Sequence, residues 1–392
     1  MASTYAPHHA FARTDRSRLG VWWWTVDRFL LGAILALMAI GVMLSFGSSP
    51  AAAARIGIHD PFHFAKRQLV YGAVGVALLL GMSLLSPRGV RRVCFFTYLA
   101  AIGVMCILPF IGHSAKGADR WLSIGGFSLQ PSEFMKPALI VLASWMFAEA
   151  QKGEGVPGVS IAFGLYAVAV ALLLLQPDVG QTVLTTVTFG ACFFMAGVPL
   201  RWIVGLGTVA AGGFVTIYFA FAHVAARFHK FLSPDRADTH QVDKAAEAIA
   251  HGGLFGTGPG EGIMKRHVPD LHTDFIYSVA AEEYGVVFSW GLIALFGFLV
   301  VRGLYKAMKL ADPMEQVAAS GLFVLVGQQC LINVCVNLNL IPTKGMTLPF
   351  ISYGGSSMLA TGLTLGLALA LTRRRPGAYA GAQGPAQAGA HL

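Results

Sequence analysis

The sequence predicts an all-α membrane protein of about ten transmembrane helices, with a large extracytoplasmic loop between helices 7 and 8. Three observations support this fold class. Of the 392 residues, 55% are hydrophobic and only 12% are charged, whereas soluble domains carry about 25% charged residues. Apolar runs of about 20 residues, long enough to cross a bilayer as a helix, recur along the chain. Basic residues also concentrate in alternate loops, as they do in membrane proteins.

The apolar runs define the spans in chain order. The predicted spans are 28–47, 68–86, 93–112, 132–150, 158–175, 181–198, 201–222, 275–301, 315–340 and 352–372. They form a membrane domain at 22–375, which follows a polar N-terminal tail at 1–21. The polar start and the length of the first apolar run predict no cleavable signal peptide. The tail at 376–392 has no apolar face and is predicted to be disordered.

The net charge of +9 is explained by topology rather than by nucleic-acid binding. The inward basic residues are Arg13, Arg16, Arg18 and Arg28 before span 1, Arg88, Arg91 and Arg92 after span 2, Arg201 after span 6, Arg302, Lys306 and Lys309 after span 8, and Arg373, Arg374 and Arg375 after span 10. These positions are alternate loops plus both ends of the chain, so the positive-inside rule places both termini in the cytoplasm. The outward loops are then 48–67, 113–131, 176–180, 223–274 and 341–351.

The loop at 223–274 is much longer than ordinary connections, and loops of that length are usually functional or disordered. Within it, Gln241 to Ala250 predicts a short helix with Val242, Ala245, Ala246 and Ile249 on one face. We expect this helix to lie flat at the outer membrane interface.

The second outward loop and the start of the span that follows it carry two groups of candidate residues. Arg120 and Trp121 are adjacent, and together they offer a platform for a sugar ring; an interface anchor is the alternative for Trp121. Glu133 and Lys136 are neighbours if this segment begins a helix. Charges at membrane depth are functional candidates, although a purely structural ion pair is an equal alternative here.

Two aspartates lie at helix boundaries on the same side. Asp178, in the short turn at 176–180, is either a helix cap or part of a site. Asp274 precedes span 8, and on a helix it would share a face with Ser278 and Glu282. A carboxylate at the mouth of a bundle is suited to proton abstraction, and a capping role is its alternative.

The segment from Asn339 to Ser357 contains prolines and glycines that break regular helix. Broken backbone at membrane depth is tolerated where protein or a water-filled cavity surrounds it. Gln329, Asn333 and Asn337 recur at four-residue spacing on the preceding span, so they predict a polar stripe that faces the bundle interior. Lys344, Lys265, Arg266 and Arg120 lie outside against the positive-inside trend and together suggest an anionic ligand such as a lipid pyrophosphate. The five cysteines lie inside predicted spans and have no metal-ligand spacing.

Taken together, these segments resemble the SEDS family (shape, elongation, division and sporulation) over essentially the whole membrane region. The resemblance is carried, in order, by Gly117-Ala-x-Arg-Trp121, Gln130-Pro-Ser-Glu133 with Lys136, Gln176-Pro-Asp178-x-Gly180, His272-Thr-Asp-Phe275 with Glu282-Glu283, and Pro349-Phe-Ile-Ser-Tyr-Gly-Gly-Ser-Ser357. The segment from Pro342 to Pro349 is similar to the division-type version rather than the elongation-type version.

The resemblance implies an inverting peptidoglycan glycosyltransferase that polymerises lipid II, with undecaprenyl pyrophosphate as the leaving group. The family's essential aspartate corresponds to Asp274, the expected general base. His272, Ser352 and Tyr353, which lie in the shared motifs, join the substrate-binding candidates. A divalent cation, Mg²⁺ or Mn²⁺, is an optional assistant, although no cluster of ligands demands one.

The resemblance also implies the setting: the bacterial inner membrane at the division septum, with the active site facing the periplasm. The implied partners are a class B penicillin-binding protein of the FtsI type, which is a transpeptidase, and other divisome membrane proteins. Two other functions stay open, a lipid II flippase and a non-enzymatic division scaffold. A flippase needs polar residues in both halves of the membrane, whereas here they crowd the outer half, which favours the polymerase.

Overall fold

In the computed structural model the chain forms a bundle of helices joined by short turns and one long loop. The structure describes residues 17–111, 120–124, 127–153, 155–197, 240–342 and 345–374, with isolated residues between 204 and 226. The helices are α1 (Arg18–Thr25), α2 (Arg28–Arg55), α3 (His63–Ser83), α4 (Pro87–Ile111), α5 (Pro131–Gln151), α6 (Gly158–Leu175), α7 (Val179–Met195), α8 (His240–Gly252), α9 (Ile276–Ala307), α10 (Pro313–Asn337) and α11 (Gly355–Leu371). A short 3₁₀ helix, Met264–His267, lies between α8 and α9.

Six of the described helices are long and apolar enough to cross a membrane, namely α2, α3, α4, α6, α9 and α10. Helices α7 and α11 are apolar but shorter, and α5 carries Glu133 and Lys136 in its first turns. Every predicted span except the seventh coincides with one of these helices. About half of the seventh span lies outside the described residues, as do most of the predicted N-terminal tail and all of the C-terminal tail. The membrane-protein class is therefore confirmed, while the count of ten spans stays a prediction.

A small β-hairpin departs from the all-α prediction. Strand β1 (Leu122–Ile124) pairs antiparallel with β2 (Phe127–Leu129), so that Leu122 lies opposite Leu129. The sequence between Leu122 and Leu129 alternates apolar and serine residues around Gly125-Gly126, and alternation around such a glycine pair is a hairpin signal. The hairpin leads directly into α5.

The predicted outward loop at 48–67 is mostly helical. Helix α2 continues to Arg55 and α3 begins at His63, which leaves a turn of a few residues. The Ser49 hydroxyl donates a hydrogen bond to the Pro61 carbonyl at 2.7 Å, and Asp60 accepts one from the Lys66 ammonium at 2.8 Å. These local hydrogen bonds satisfy polar side chains of the kind that made the segment resemble a loop.

Helix α8 confirms the helix predicted inside the long loop, with a shifted buried face. Val242, Ala245 and Ala248 are buried, whereas Ala246 is exposed. The buried face packs against α9, so this helix is docked on the bundle through three small apolar side chains.

Helix α9 bends at Gly285, whose φ of 83° lies in the region that favours glycine. The bend leaves helix carbonyl and N–H groups without partners inside the helix, and the long loop supplies them. The N–H groups of Thr257 and Gly258 donate to the carbonyls of Glu282 (2.9 Å) and Glu283 (3.0 Å), and the Val286 N–H donates to the Gly253 carbonyl at 3.0 Å. The loop is thereby fixed to the helix, and it carries the chain back to Asp274.

Helices α3 and α11 pack closely through glycines. A Cβ atom at Gly362 would lie 2.7 Å from the Gly75 carbonyl oxygen, so only glycine permits this approach, as in small-residue contacts between membrane helices. This packing brings the start of α3 beside the residues that precede α11.

Candidate active site

Asp274 lies just before α9, at the end of the bundle where the long loop returns. Its backbone carbonyl accepts hydrogen bonds from the side-chain amides of Asn333 (2.8 Å) and Asn337 (3.0 Å). The N-cap position of α9 is Phe275, not Asp274, so the capping alternative has no support from the helix boundary. The side chain of Asp274 is half-buried, which suits a carboxylate that meets a substrate.

The segment that begins at Gly345 lies beside Asp274. A Cβ atom at Gly345 would lie 3.2 Å from Asp274 Oδ2, so the carboxylate faces bare backbone there. Asn333 also donates to the Met346 carbonyl at 2.7 Å and thus joins this segment to Asp274. Lys344, a predicted phosphate partner, lies outside the described residues, next to Gly345 in the chain.

Two hydrogen bonds tie this segment to the residues before Asp274, and a third orders the segment itself. The Ser352 hydroxyl donates to the Thr273 carbonyl at 2.5 Å and accepts from the Leu348 N–H at 2.7 Å. The Tyr353 N–H donates to the His272 carbonyl at 2.8 Å. These bonds bring Ser352, Tyr353 and His272 together with Asp274. The Ser352 hydroxyl bonds backbone groups.

An aromatic cluster lies beside Asp274. The His272 ring is 4.4 Å from that of Phe64 and 5.5 Å from that of Tyr353, measured between centroids. Arg67 on α3 is exposed and lies near the Tyr353 side chain. Sequence reasoning missed Arg67, although a basic residue at the outward end of a predicted span was an available signal.

Glu133 and Lys136 form a buried network with two glutamines. The Lys136 ammonium donates to Glu133 at 2.9 Å and to Gln181 at 2.6 Å, and the Gln181 amide donates to Glu133 at 2.7 Å. The Gln329 amide lies 3.5 Å from the other Glu133 oxygen. Lys136 is 1% exposed, so its charge is balanced entirely within the protein. Gln181 was not among the predicted site residues.

The predicted polar stripe on α10 faces the interior, as its spacing indicated. Gln329, at one end of the stripe, contacts Glu133, and the two asparagines hold the Asp274 carbonyl. At 1.5 Å of rise per residue the stripe extends about 12 Å. It therefore joins the buried Glu133–Lys136 network to the segment that carries Asp274.

We predict that Asn337→Leu lowers both stability and activity. Asn337 donates to the Asp274 carbonyl and accepts from the Ser278 N–H at 3.2 Å. Removing it leaves buried groups without partners, at a cost of about 1–3 kcal/mol, and frees the Asp274 segment. The specific polymerisation rate should fall about tenfold, the equivalent of roughly 1.4 kcal/mol.

The matched control is Gln328→Leu, on the same helix. Gln328 accepts a hydrogen bond from Thr188 at 2.5 Å and does not contact the Asp274 segment. Thermal unfolding and the rate per folded molecule are measured for both variants. A full rate per folded Asn337→Leu molecule would show that the amide has no positioning role.

Arg120 and Asp178 organise the turn between α6 and α7. The Arg120 guanidinium donates to the carbonyls of Gln176 (2.8 Å) and Pro177 (2.5 Å) and lies 3.7 Å from the Asp178 carboxylate. Asp178 also occupies the N-cap of α7, so the capping alternative holds for it. Trp121, beside Arg120, is exposed. Arg120 is therefore committed to this turn and is not a free cationic group.

Lys265 has a different environment from the one expected of a phosphate partner. It is 3% exposed, its ammonium is paired with the Glu283 carboxylate, and it donates to the carbonyls of Gly47 (3.1 Å) and Gly260 (3.2 Å). We therefore assign Lys265 to holding the long loop on α2 and α9. The neighbouring Arg266 is exposed and keeps its candidacy.

The expected common face of Asp274, Ser278 and Glu282 does not form. Asp274 lies before the helix begins. Glu282 is fully buried and accepts hydrogen bonds from the N–H groups of Met264 and Lys265, both at 2.7 Å. Glu282 thus shapes the loop, and Asp274 remains the candidate base.

Within the described ranges, no three His, Cys, Asp or Glu side chains lie close enough together to hold a metal ion.

The family model described as "Cell cycle protein", which covers FtsW, RodA and SpoVE proteins, matches residues 28–376. The chain belongs to this family. The match extends from the start of α2 to just beyond α11, so it contains every residue of the candidate site.

Two bacterial relatives in this family are similar over nearly their whole length. A probable peptidoglycan glycosyltransferase FtsW of Caulobacter vibrioides is 73% identical over 376 residues, which cover 96% of each chain. A protein of the same name from Legionella pneumophila is 35% identical over 354 residues, covering 88% of this chain and 90% of the relative.

Two solved structures share the fold. A chain from a study of the coordination of polymerisation and crosslinking by a peptidoglycan synthase complex matches with a TM-score of 0.73 and 28% identity, covering 89% of this chain and 98% of that chain. The rod-shape-determining protein RodA of Thermus thermophilus matches with a TM-score of 0.65 and 28% identity, covering 89% of this chain and 97% of RodA. The likeness therefore extends through the helices that form the site.

Proposed function

We propose that this protein is a peptidoglycan glycosyltransferase that polymerises lipid II into glycan strands during septal cell-wall synthesis. The observation that carries the proposal is the 73% identity, over 96% of each chain, to a probable peptidoglycan glycosyltransferase FtsW. The arrangement around Asp274 supports the chemistry, because its carboxylate is half-buried and its backbone carbonyl is held by two asparagine amides.

The proposed reaction joins the hydroxyl of one lipid-linked sugar to the anomeric carbon of another. Asp274 accepts the hydroxyl proton as the new bond between oxygen and carbon forms. The bond from the anomeric carbon to the lipid pyrophosphate breaks, and undecaprenyl pyrophosphate leaves with the bonding electrons. A single base without a covalent intermediate gives inversion at the anomeric carbon.

The leaving pyrophosphate needs cationic partners. Lys344 adjoins Gly345, which faces the Asp274 carboxylate, while Arg67 and Arg266 are exposed. We propose these three as the phosphate contacts. Arg120, Trp121 and Asp178 would form the wall of the substrate groove, and Glu133 and Lys136 would fix the position of α5 against α10.

Lys344→Ala should weaken the use of lipid II. A charge-assisted hydrogen bond contributes about 1.5–3 kcal/mol, so the apparent affinity for lipid II should fall about ten- to a hundredfold. Membrane insertion should be unchanged. The measurement is the dependence of polymerisation on lipid II concentration.

Lys244→Ala is the matched control, because Lys244 lies in the long loop and pairs with Glu247 at 2.6 Å within α8. An unchanged lipid II dependence in Lys344→Ala would remove Lys344 from the site.

The proposed topology has ten spans in a membrane domain at 22–375, with the large loop between spans 7 and 8 at 223–274. Both tails, 1–21 and 376–392, would be cytoplasmic, and Asp274 would face the periplasm at the division septum. A reporter fused after Leu392 should then give a cytoplasmic signal, and one inserted near Asp235 an extracytoplasmic signal. A cytoplasmic signal at Asp235 would contradict the placement of the site.

The proposed partner is a class B penicillin-binding protein, an FtsI-type transpeptidase, together with other divisome membrane proteins. Its support is the likeness to a chain whose study concerns a peptidoglycan synthase complex that polymerises and crosslinks. Co-purification of the full chain with its cognate transpeptidase tests this assignment.

The decisive experiment is glycan-strand synthesis from lipid II by the purified protein in detergent, with and without that transpeptidase. No membrane separates two compartments in detergent, so a flippase or a scaffold would produce no strands. We expect strands from the wild type. Their absence under both conditions would overturn the proposed activity.

A further inference from the structure

A cationic cluster lies at the end of the bundle opposite Asp274, where α1, α2 and α9 meet. The Asp27 carboxylate caps α2 by accepting from the N–H groups of Phe29 (3.1 Å) and Leu30 (3.0 Å). It also accepts two hydrogen bonds from Arg302, both at 2.9 Å, and lies 3.0 Å from the Lys306 ammonium. One carboxylate is thus shared by two cations.

Burial raises the pKa of Asp27, but its hydrogen bonds to Arg302, the Leu30 N–H and Lys306 outweigh that effect and lower the pKa to about 2. The carboxylate is therefore ionised at any physiological pH and cancels one of the two positive charges. Its oxygens are saturated, and its side chain is 4% exposed.

Two further cations extend the cluster. The Arg28 guanidinium lies 4.9 Å and 4.7 Å from the ring centroids of Trp23 and Trp24, and the Lys309 ammonium lies 4.1 Å from that of Tyr305. Among the described residues, Asp27 is the one acid that contacts this group of four cations. The cluster therefore keeps a strong excess of positive charge.

Exposed apolar side chains adjoin the cations. On α9, residues Phe298, Arg302, Tyr305 and Lys306 share one face by helical spacing, and Lys309 follows just beyond the end of this helix. Phe29 is 68% exposed, and its ring lies 4.5 Å from the Arg302 guanidinium. Phe298 and Tyr305 are also exposed. The exposed surface of α9 is therefore apolar at Phe298 and becomes cationic from Arg302 onward.

We propose that this surface, formed by Arg28, Phe29, Phe298, Arg302 and Lys306, binds the headgroup of an anionic phospholipid from the adjoining leaflet. The N–H groups of Arg302 and Lys306 that do not face Asp27 bind the phosphate, and the exposed phenylalanines contact the acyl chains. Guanidinium groups are well suited to phosphate, and basic clusters next to membrane helices attract anionic lipids. The apolar part of the surface favours a lipid over an acidic peptide from the water phase.

Lipid binding to the full-length protein in detergent tests this proposal. Phosphatidylglycerol and phosphatidylcholine with identical acyl chains are titrated, and bound lipid is counted by native mass spectrometry while the unfolding midpoint is recorded. The wild type should bind phosphatidylglycerol more tightly and unfold at a higher temperature with it. Each basic side chain near an anionic surface contributes about 1 kcal/mol, which is about fivefold in affinity.

Lys306→Gln and Arg28→Gln should each weaken phosphatidylglycerol binding about fivefold, and the double variant about 25-fold. Arg28→Gln leaves the Asp27 pairs intact, so it remains informative if Lys306→Gln is unstable. The control is Arg92→Gln, which removes an exposed cation of α4 and should bind normally. Equal affinity for both lipids, an equal loss in Arg92→Gln, or binding of polyglutamate in place of phosphatidylglycerol would overturn the proposal.

Discussion

Asp274→Asn should nearly abolish glycan polymerisation while the protein still folds and binds its partner. Asparagine keeps the size of the side chain and much of its hydrogen bonding, but it cannot accept the proton of the attacking hydroxyl. Loss of general-base assistance typically lowers a rate by about 10²–10⁴. The asparagine amides hold the backbone carbonyl of Asp274 rather than its carboxylate, so the substitution leaves these contacts in place.

The control is Asp270→Asn, four residues earlier in the same loop. Asp270 has a φ of 51°, a conformation that asparagine tolerates well, and its carbonyl holds the turn through the N–H groups of Thr273 and Asp274. This variant removes the same charge and should keep most of the activity. Strand synthesis by Asp274→Asn within a few-fold of the wild type would disprove the base assignment.

Lys136→Met should cause the largest loss of stability among single substitutions at the site. It leaves the Glu133 carboxylate buried beside two neutral glutamines, and an uncompensated buried charge costs about 3–5 kcal/mol. The unfolding midpoint in detergent should fall accordingly. Lys152→Met is the matched control, because Lys152, at the C-terminal cap of the same helix, pairs with Glu149 at the same spacing but is exposed. Such surface pairs contribute at most about 1 kcal/mol.

The double variant Glu133→Gln with Lys136→Met separates the two interpretations of this pair. It removes both charges, and we expect most of the lost stability to return. A stable double variant that polymerises normally would show that the pair only holds α5. A stable but inactive one would show that the charges themselves serve the reaction. A double variant as unstable as Lys136→Met would contradict the ion-pair explanation of the stability.

Patterns local in sequence predicted most of the fold. Apolar runs marked the helices, and four-residue spacing placed Gln329, Asn333 and Asn337 on an interior face. The hairpin at Leu122–Leu129 was missed because its alternation is short and lies between strongly helical segments. The buried face of α8 differs from the predicted one because contact with α9 buries Ala248 rather than Ala246.

The residues of the site were harder to predict, since their environments depend on distant contacts. Lys265 resembled a free loop cation, but its partner Glu283 lies across the bend of α9, and Gly47 belongs to α2. Arg67 lies near Tyr353 in a bundle where glycines let α3 and α11 approach closely. Such pairings are properties of the packed bundle and leave no periodic signal.

The bend of α9 limits how freely the long loop can be exchanged in engineered chimaeras. Backbone groups near Gly285 obtain their hydrogen bonds from the segment at 253–258, and unsatisfied backbone in a membrane costs several kcal/mol per group. The bend of the helix and this loop segment therefore depend on each other and act as one structural unit. A transplant between relatives has to carry 253–258 and 282–287 together. A cut at the apparent loop boundary would separate the backbone donors from their acceptors.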